Sequence, residues 1–135
     1  MASWQAVLDG HADLFAEVQP GASIALAPGS PPRANVKQVR APVPMQLWLR
    51  GPDRMAVVAG EYRGLKSLAA DVLLLPEVGA LDAALAHDHP MSELKRGLRD
   101  GRVLVMVMRS RKELRERGWS EFFEALGLPF QGTCR

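Results

Sequence analysis

The sequence predicts an α+β (mixed α/β) domain with an N-terminal helix, an antiparallel meander, a strand-helix-helix-strand crossover and a C-terminal helix. Three observations carry that expectation. Apolar residues recur at helical spacing near both ends, two runs rich in strand formers flank a Gly-Pro-Asp turn, and VLVMVM at 103–108 is apolar on both faces. A chain of 135 residues falls in the single-domain range and buries about two-thirds of its unfolded surface, so residues 1–135 are read as one globular domain.

The elements follow in order. In SWQAVLDGHADLFAEV at 3–18, Trp4, Val7, Leu8, Leu14, Phe15 and Val18 are spaced along one helical face, with Ser3 as N-cap. Gly10 weakens this helix by about 1 kcal/mol relative to alanine, and Gln19-Pro20-Gly21 ends it. ASIALA at 22–27 reads as a short strand. Five prolines between 28 and 44 cannot donate to a sheet ladder, so that connection belongs on an edge or the surface, with one edge strand expected around Val36 to Arg40. In MQLWLRGPDRMAVVAGEY at 45–62, a hairpin, Met45, Leu47 and Leu49 share one face while Gln46, Trp48 and Arg50 share the other. DVLLLP at 71–76 is a short apolar strand, followed by helices over Val78 to His87 and Pro90 to Arg99. The run 103–108 is expected to be the central strand, with a right-handed crossover if it lies parallel to 71–76. Finally, Ser110 and Glu113 have capping-box spacing, Gly118 interrupts the last helical stretch, and Gly127 and Pro129 stop it.

Composition excludes some classes. An apolar fraction of 47% with 24% charged residues belongs to a folded globular chain, not a disordered one. The single cysteine, Cys134, closes no intramolecular disulfide and is a poor nucleophile so near the C-terminus, so a reducing, cytoplasmic setting is expected. No apolar run approaches the ~20 residues of a bilayer span, and no export signal or membrane partner is expected. The net charge of +2 hides alternating blocks. Residues 1–32 carry −3, 33–66 carry +5, 67–94 carry −5 and 95–135 carry +5. Such blocks either expose a basic face to an anionic partner or cancel one another on folding.

Three constellations are candidates for chemistry. His87 and His89 flank Asp88 and offer two imidazoles to a metal or to acid-base work, but a catalytic zinc needs three protein ligands and His11 has no spacing that ties it to them. The alternative is punctuation, in which His87 ends one helix, Asp88 or His89 caps the next and Pro90 opens it. No metal and no cofactor is expected. At the second site, Arg109, Ser110, Arg111 and Lys112 surround a helix start that follows a strand, an arrangement suited to an anion. There the alternative is a solvated first turn with Lys112–Glu116 and Glu113–Arg117 pairs. The third set, Trp48, Arg50, Arg54, Tyr62 and Arg63 around the hairpin, interleaves rings and guanidiniums as single-strand nucleic-acid binders do. Otherwise Trp48 lies beneath the N-terminal helix, with Arg50 reaching water at the rim.

These readings favour a non-enzymatic binding or interaction module with a basic surface for an anionic partner such as nucleic acid. Two other classes stay open. One is a small enzyme acting on an anionic metabolite at Arg109 to Lys112 with His87 or His89 as acid-base group. The other is a structural homodimer made through an edge strand or the apolar FFEALGLPF segment.

Overall fold

The computed structural model describes residues 3–27, 43–63, 68–77 and 79–127. The expected edge strand at Val36 to Arg40, the segment 128–130 and Cys134 lie outside the described residues. Helix α1 (Trp4–Gly10) begins where the Ser3 hydroxyl accepts the Ala6 N–H at 3.2 Å, closing a free donor of its first turn. The single long helix expected over 3–18 is divided at Gly10 and His11, beyond which Ala12–Phe15 form a 3-10 turn. Both halves keep their apolar face inward, with Trp4, Leu8 and Phe15 buried.

The strands β1 (Ser23–Leu26), β2 (Val43–Arg50), β3 (Met55–Tyr62), β4 (Val72–Pro76) and β5 (Val103–Val107) form one mixed sheet in the order β3-β2-β1-β4-β5. The meander is as expected, with β1–β2 and β2–β3 both antiparallel. The Gly51 N–H donates to the Arg54 carbonyl at 2.8 Å to close the hairpin turn. β1 pairs in parallel with β4, and β4 pairs antiparallel with β5. The sequence expectation for β5 is therefore corrected: it is an edge strand, and the centre belongs to β1 and β4, all of whose residues are buried. Because β4 and β5 are antiparallel neighbours, the intervening helices make a return connection to which the crossover handedness rule does not apply. The apolar residues of β5 therefore mark neither a paired outer edge nor two covered faces: only Val103 is buried, and Val105 is 39% exposed.

Helices α2 (Ala80–Leu85), α3 (Pro90–Asp100), α4 (Arg111–Glu116) and α5 (Ser120–Ala125) complete the described elements. Every helix places apolar side chains on the same sheet face, where Leu8, Leu94, Leu114 and Phe122 meet Ile24, Trp48, Val72 and Leu74. Trp4 lies over Trp48 with ring centroids 5.4 Å apart, a contact worth about 0.5–1.5 kcal/mol beyond its buried area. α3 lies close against β5 because Gly97 has no side chain; a Cβ there would stand 3.0 Å from Val103 Cγ2. On the opposite face Ala25, Leu73 and Leu75 are buried with Tyr62, Leu47 and Met106, and no described helix joins that cluster. No described helix is long and apolar enough to cross a membrane.

Candidate functional site

The most heavily partnered polar group among the described residues is one the sequence analysis did not single out. Asp71, just before β4, is 1% exposed. Its backbone N–H donates to the Ser23 carbonyl and its carbonyl accepts from Met108, which fixes it between β1 and the end of β5. Its carboxylate faces three donors: Arg109 Nε at 3.1 Å and Arg117 at 3.4 Å on Oδ1, and Trp119 Nε1 at 3.0 Å on Oδ2. A buried charge persists only when paired and hydrogen-bonded, and this one is both. The arrangement is a clamp between β4 and the segment from β5 through α5. With its oxygens so occupied, it is not placed as a general base. The signal in the sequence was a lone Asp opening a wholly apolar strand; its partners lie about forty residues away and follow no motif.

This clamp redefines the strand-helix junction. Arg109 turns to Asp71, and so does Arg117, in place of the expected pair with Glu113. The start of α4 is filled by its own side chain: Ser110 N–H donates to Glu113 Oε1 at 3.0 Å and Glu113 N–H to Ser110 Oγ at 3.2 Å. The capping box is thus complete, as its spacing predicted. The Ser110 hydrogen bonds, with smaller help from Arg109 and Arg117, hold the Glu113 carboxyl below its ordinary value. A carboxylate of the chain itself occupies the position expected for an anion. Arg111 and Lys112 are exposed, and the expected Lys112–Glu116 ion pair is not formed.

His87, Asp88 and His89 are all exposed between α2 and α3. His89 occupies the N-cap position of α3 without a side-chain cap bond, and Pro90 opens the helix. His87 Nε2 lies 3.7 Å from Glu93, which Arg96 also meets. Among the described residues no group of histidines, cysteines and carboxylates is arranged to hold a metal. His87 and His89 share no hydrogen bond or ion pair with Arg109, Arg111 or Lys112.

The hairpin residues do not form one surface. Trp48 and Tyr62 are both buried, and on opposite faces of the sheet: Trp48 lies under Trp4, while Tyr62 sits in the cluster with Leu73 and Leu75. Burial also pushes the Tyr62 phenol up from its ordinary pKa. Neither ring is presented for a base to stack on. Arg54 pairs with Asp9 at 3.4 Å and Arg63 with Glu61 at 2.7 Å, both at the surface. Arg50 is half-buried, and its Nε has no partner among the described residues.

A hollow of about 500 Å³ lies on the helical side of the hairpin, lined by Leu26, Pro44, Gln46, Val57, Ala59 and Leu81. Its origin is a row across the sheet: Ala59 pairs with Gln46, which pairs with Leu26. Ala59 is too small, and Gln46 too polar, to fill the space between the helices as the neighbouring row of Val57, Trp48 and Ile24 does. Gln46 Oε1 accepts Trp48 Nε1–H at 2.6 Å, so its carboxamide orientation is fixed. Beside the hollow runs the outer edge of β3. Part of that edge is taken by Gln5 of α1, whose Nε2 donates to the Met55 carbonyl and whose Oε1 accepts the Val57 N–H, both at 2.9 Å. Beyond Gln5, residues 58–61 are exposed, with Val58 at 39%.

Comparison with protein-family models, with curated proteins and with solved structures finds no match.

Proposed function

We propose that this chain is a non-enzymatic interaction module that docks a segment of another protein in the hollow between the β2–β3 hairpin and α2. The observation that supports this reading is the hollow itself, largely apolar, open and adjacent to an exposed strand edge. The enzyme alternative has less behind it. Arg109 is committed to Asp71, Glu113 fills the helix start, and His87 and His89 share no hydrogen bond or ion pair with that junction. A reducing, cytoplasmic setting accords with the single cysteine and is part of the proposal.

The test is selection of linear peptides from a displayed random library on the protein, with counter-selection on Leu81→Arg and Ala59→Trp, which charge or fill the hollow. Enrichment of peptides that bind the protein and neither variant is expected. Equal binding to all three would overturn the reading.

A second reading is an anionic partner such as nucleic acid. It is favoured by Lys95, Arg99, Arg111, Lys112 and Arg115, which are exposed and without carboxylate partners among the described residues. Binding of a single-stranded oligonucleotide that weakens steeply with added salt, and is lost on Arg111→Glu with Lys112→Glu and Arg115→Glu, would support it. Binding indifferent to salt would reject it.

A further inference from the structure

Resting on the hollow as the docking surface, we propose that the docked segment is an extended, uncharged peptide that adds to the outer edge of β3 at Ala59 and Glu61. One large apolar side chain of that peptide enters the hollow, and Gln5 marks where pairing stops.

The direction of the free backbone groups is set by Gln5. Its carboxamide gives and takes one hydrogen bond with Met55 and Val57, as a peptide group of a neighbouring strand would, so the odd-numbered residues of β3 direct their N–H and C=O outward. Ala59 and Glu61 continue that row, and nothing among the described residues pairs with their backbone groups. An open row of this kind is a template for an added strand.

The side-chain chemistry follows from the period of two. A residue paired with Ala59 stands on the same face as Ala59, above the hollow and beside Leu81; its neighbours point to the opposite face, where Val58 is exposed. The charges bordering the edge, Asp9 with Arg54 and Glu61 with Arg63, are paired within the chain. Along the β3 edge these described charges cancel in pairs, which favours an uncharged segment there.

The β3 strand of a second copy fits the site badly. In an antiparallel β3–β3 pair centred on Gly60, the residue brought opposite Ala59 is Glu61 of the other copy, which would set a carboxylate over an apolar hollow. Moving the centre to Ala59 brings Ala59 against itself, too small to fill the space, and brings Glu61 onto Val57, whose N–H Gln5 already holds. A centre at Val58 also requires the Val57 N–H. In these registers β3 of a second copy is disfavoured by charge, by size or by Gln5, and the site favours a different segment with a large neutral side chain.

The experiment uses a peptide recovered by the selection above and a series of it N-methylated at one backbone position at a time. Binding is followed by NMR titration and by amide exchange of Ala59 and Glu61. Methylation at alternate positions is expected to weaken binding about tenfold, the loss of roughly one hydrogen bond, with the intervening positions tolerant and the two amides protected. Replacing the hollow-filling side chain with Glu abolishes binding. In Gln5→Ala, protection extends to the Val57 amide when the peptide is lengthened toward Met55. Binding that depends on Leu81 but tolerates every N-methyl group, with Ala59 and Glu61 unprotected, overturns strand addition and leaves the hollow standing. If selection yields no hollow-dependent peptide, both readings fall. A concentration-dependent dimer of the unliganded chain that protects Ala59 and Glu61 also overturns the proposal.

Discussion

Asp71 and Trp119 stand 48 residues apart in sequence, yet the Trp119 indole N–H donates to the buried Asp71 carboxylate at 3.0 Å. With Arg109 and Arg117 on the other oxygen, this contact ties the start of β4 to everything after β5. Asp71→Ala leaves an indole N–H and two guanidiniums without their acceptor, and a loss of about 3–5 kcal/mol is expected in urea unfolding. Trp119→Phe keeps the ring packing against Phe122 but strips one donor from a buried carboxylate, and should cost about 1–3 kcal/mol. Arg109→Ala should be milder than Asp71→Ala, because Arg117 still meets the same oxygen and Arg109 is partly solvated. A variant at Asp71 as stable as the parent would show that the clamp does not hold the sheet to the C-terminal helices.

The elements legible in the sequence were those whose signal is local. Periodicity located the hairpin and the helices, and the Ser110–Glu113 spacing gave the capping box. Sheet order was not local. VLVMVM reads as central because it is apolar on both faces, but Leu104 and Met106 face one cluster and Val103 and Val107 the other while only β4 pairs with the strand. The true central strand β1, SIAL, is only four residues long, carries a serine and an alanine, and is preceded and followed by alanine, so nothing in its composition advertises two neighbours. The Asp71 clamp and the Gln5 contact join residues 38 to 52 positions apart, and no spacing rule reaches that far. The hollow was hidden for a different reason: it arises from Gln46 and Ala59 being too polar and too small for their places, a shortfall visible only once their row is assembled.

Two glycines should respond to alanine in opposite directions. Gly118 has φ of +88°, and a Cβ there would collide with the backbone carbonyl of Glu17 and stand 2.8 Å from Val18 Cα. Because Gln19 N–H also bonds the Arg117 carbonyl, the two segments cannot separate without breaking that contact. Gly118→Ala is expected to cost about 3 kcal/mol or more in denaturant unfolding. Gly10 closes α1 with nothing within 4 Å of its added Cβ, so Gly10→Ala should stabilise by about 0.5–1 kcal/mol through helix propensity.

The histidine loop should prove indifferent to metal. His87 and His89 are exposed, and His87 has only a 3.7 Å contact to Glu93. His87→Ala and His89→Ala are each expected to change stability by less than about 0.5 kcal/mol, and stoichiometric zinc should not raise Tm. A zinc-dependent rise in Tm that disappears in either variant would restore the pair as a metal site.

The capping box makes a pH prediction with a definite sign. The Ser110 hydrogen bonds, then Arg109 and Arg117, hold Glu113 below its ordinary pKa of 4.5 in the folded chain. Between the folded and unfolded values the unfolded state binds more protons, so stability rises with pH across that interval. The contribution is complete above about pH 4.5 and is lost as pH falls through the folded value. Glu113→Gln can still accept the Ser110 N–H bond but carries no charge to titrate. It should therefore be less stable than the parent at pH 7, and the gap should narrow as the pH is lowered below 4. Ser110→Ala removes the hydroxyl that accepts the Glu113 N–H, costs about 1 kcal/mol at pH 7 and should shrink the pH-dependent part of the difference as well. The readout is the difference between parent and variant in urea unfolding at each pH. A gap that stays constant from pH 7 to pH 3 would mean that Glu113 acts at the helix start through geometry alone.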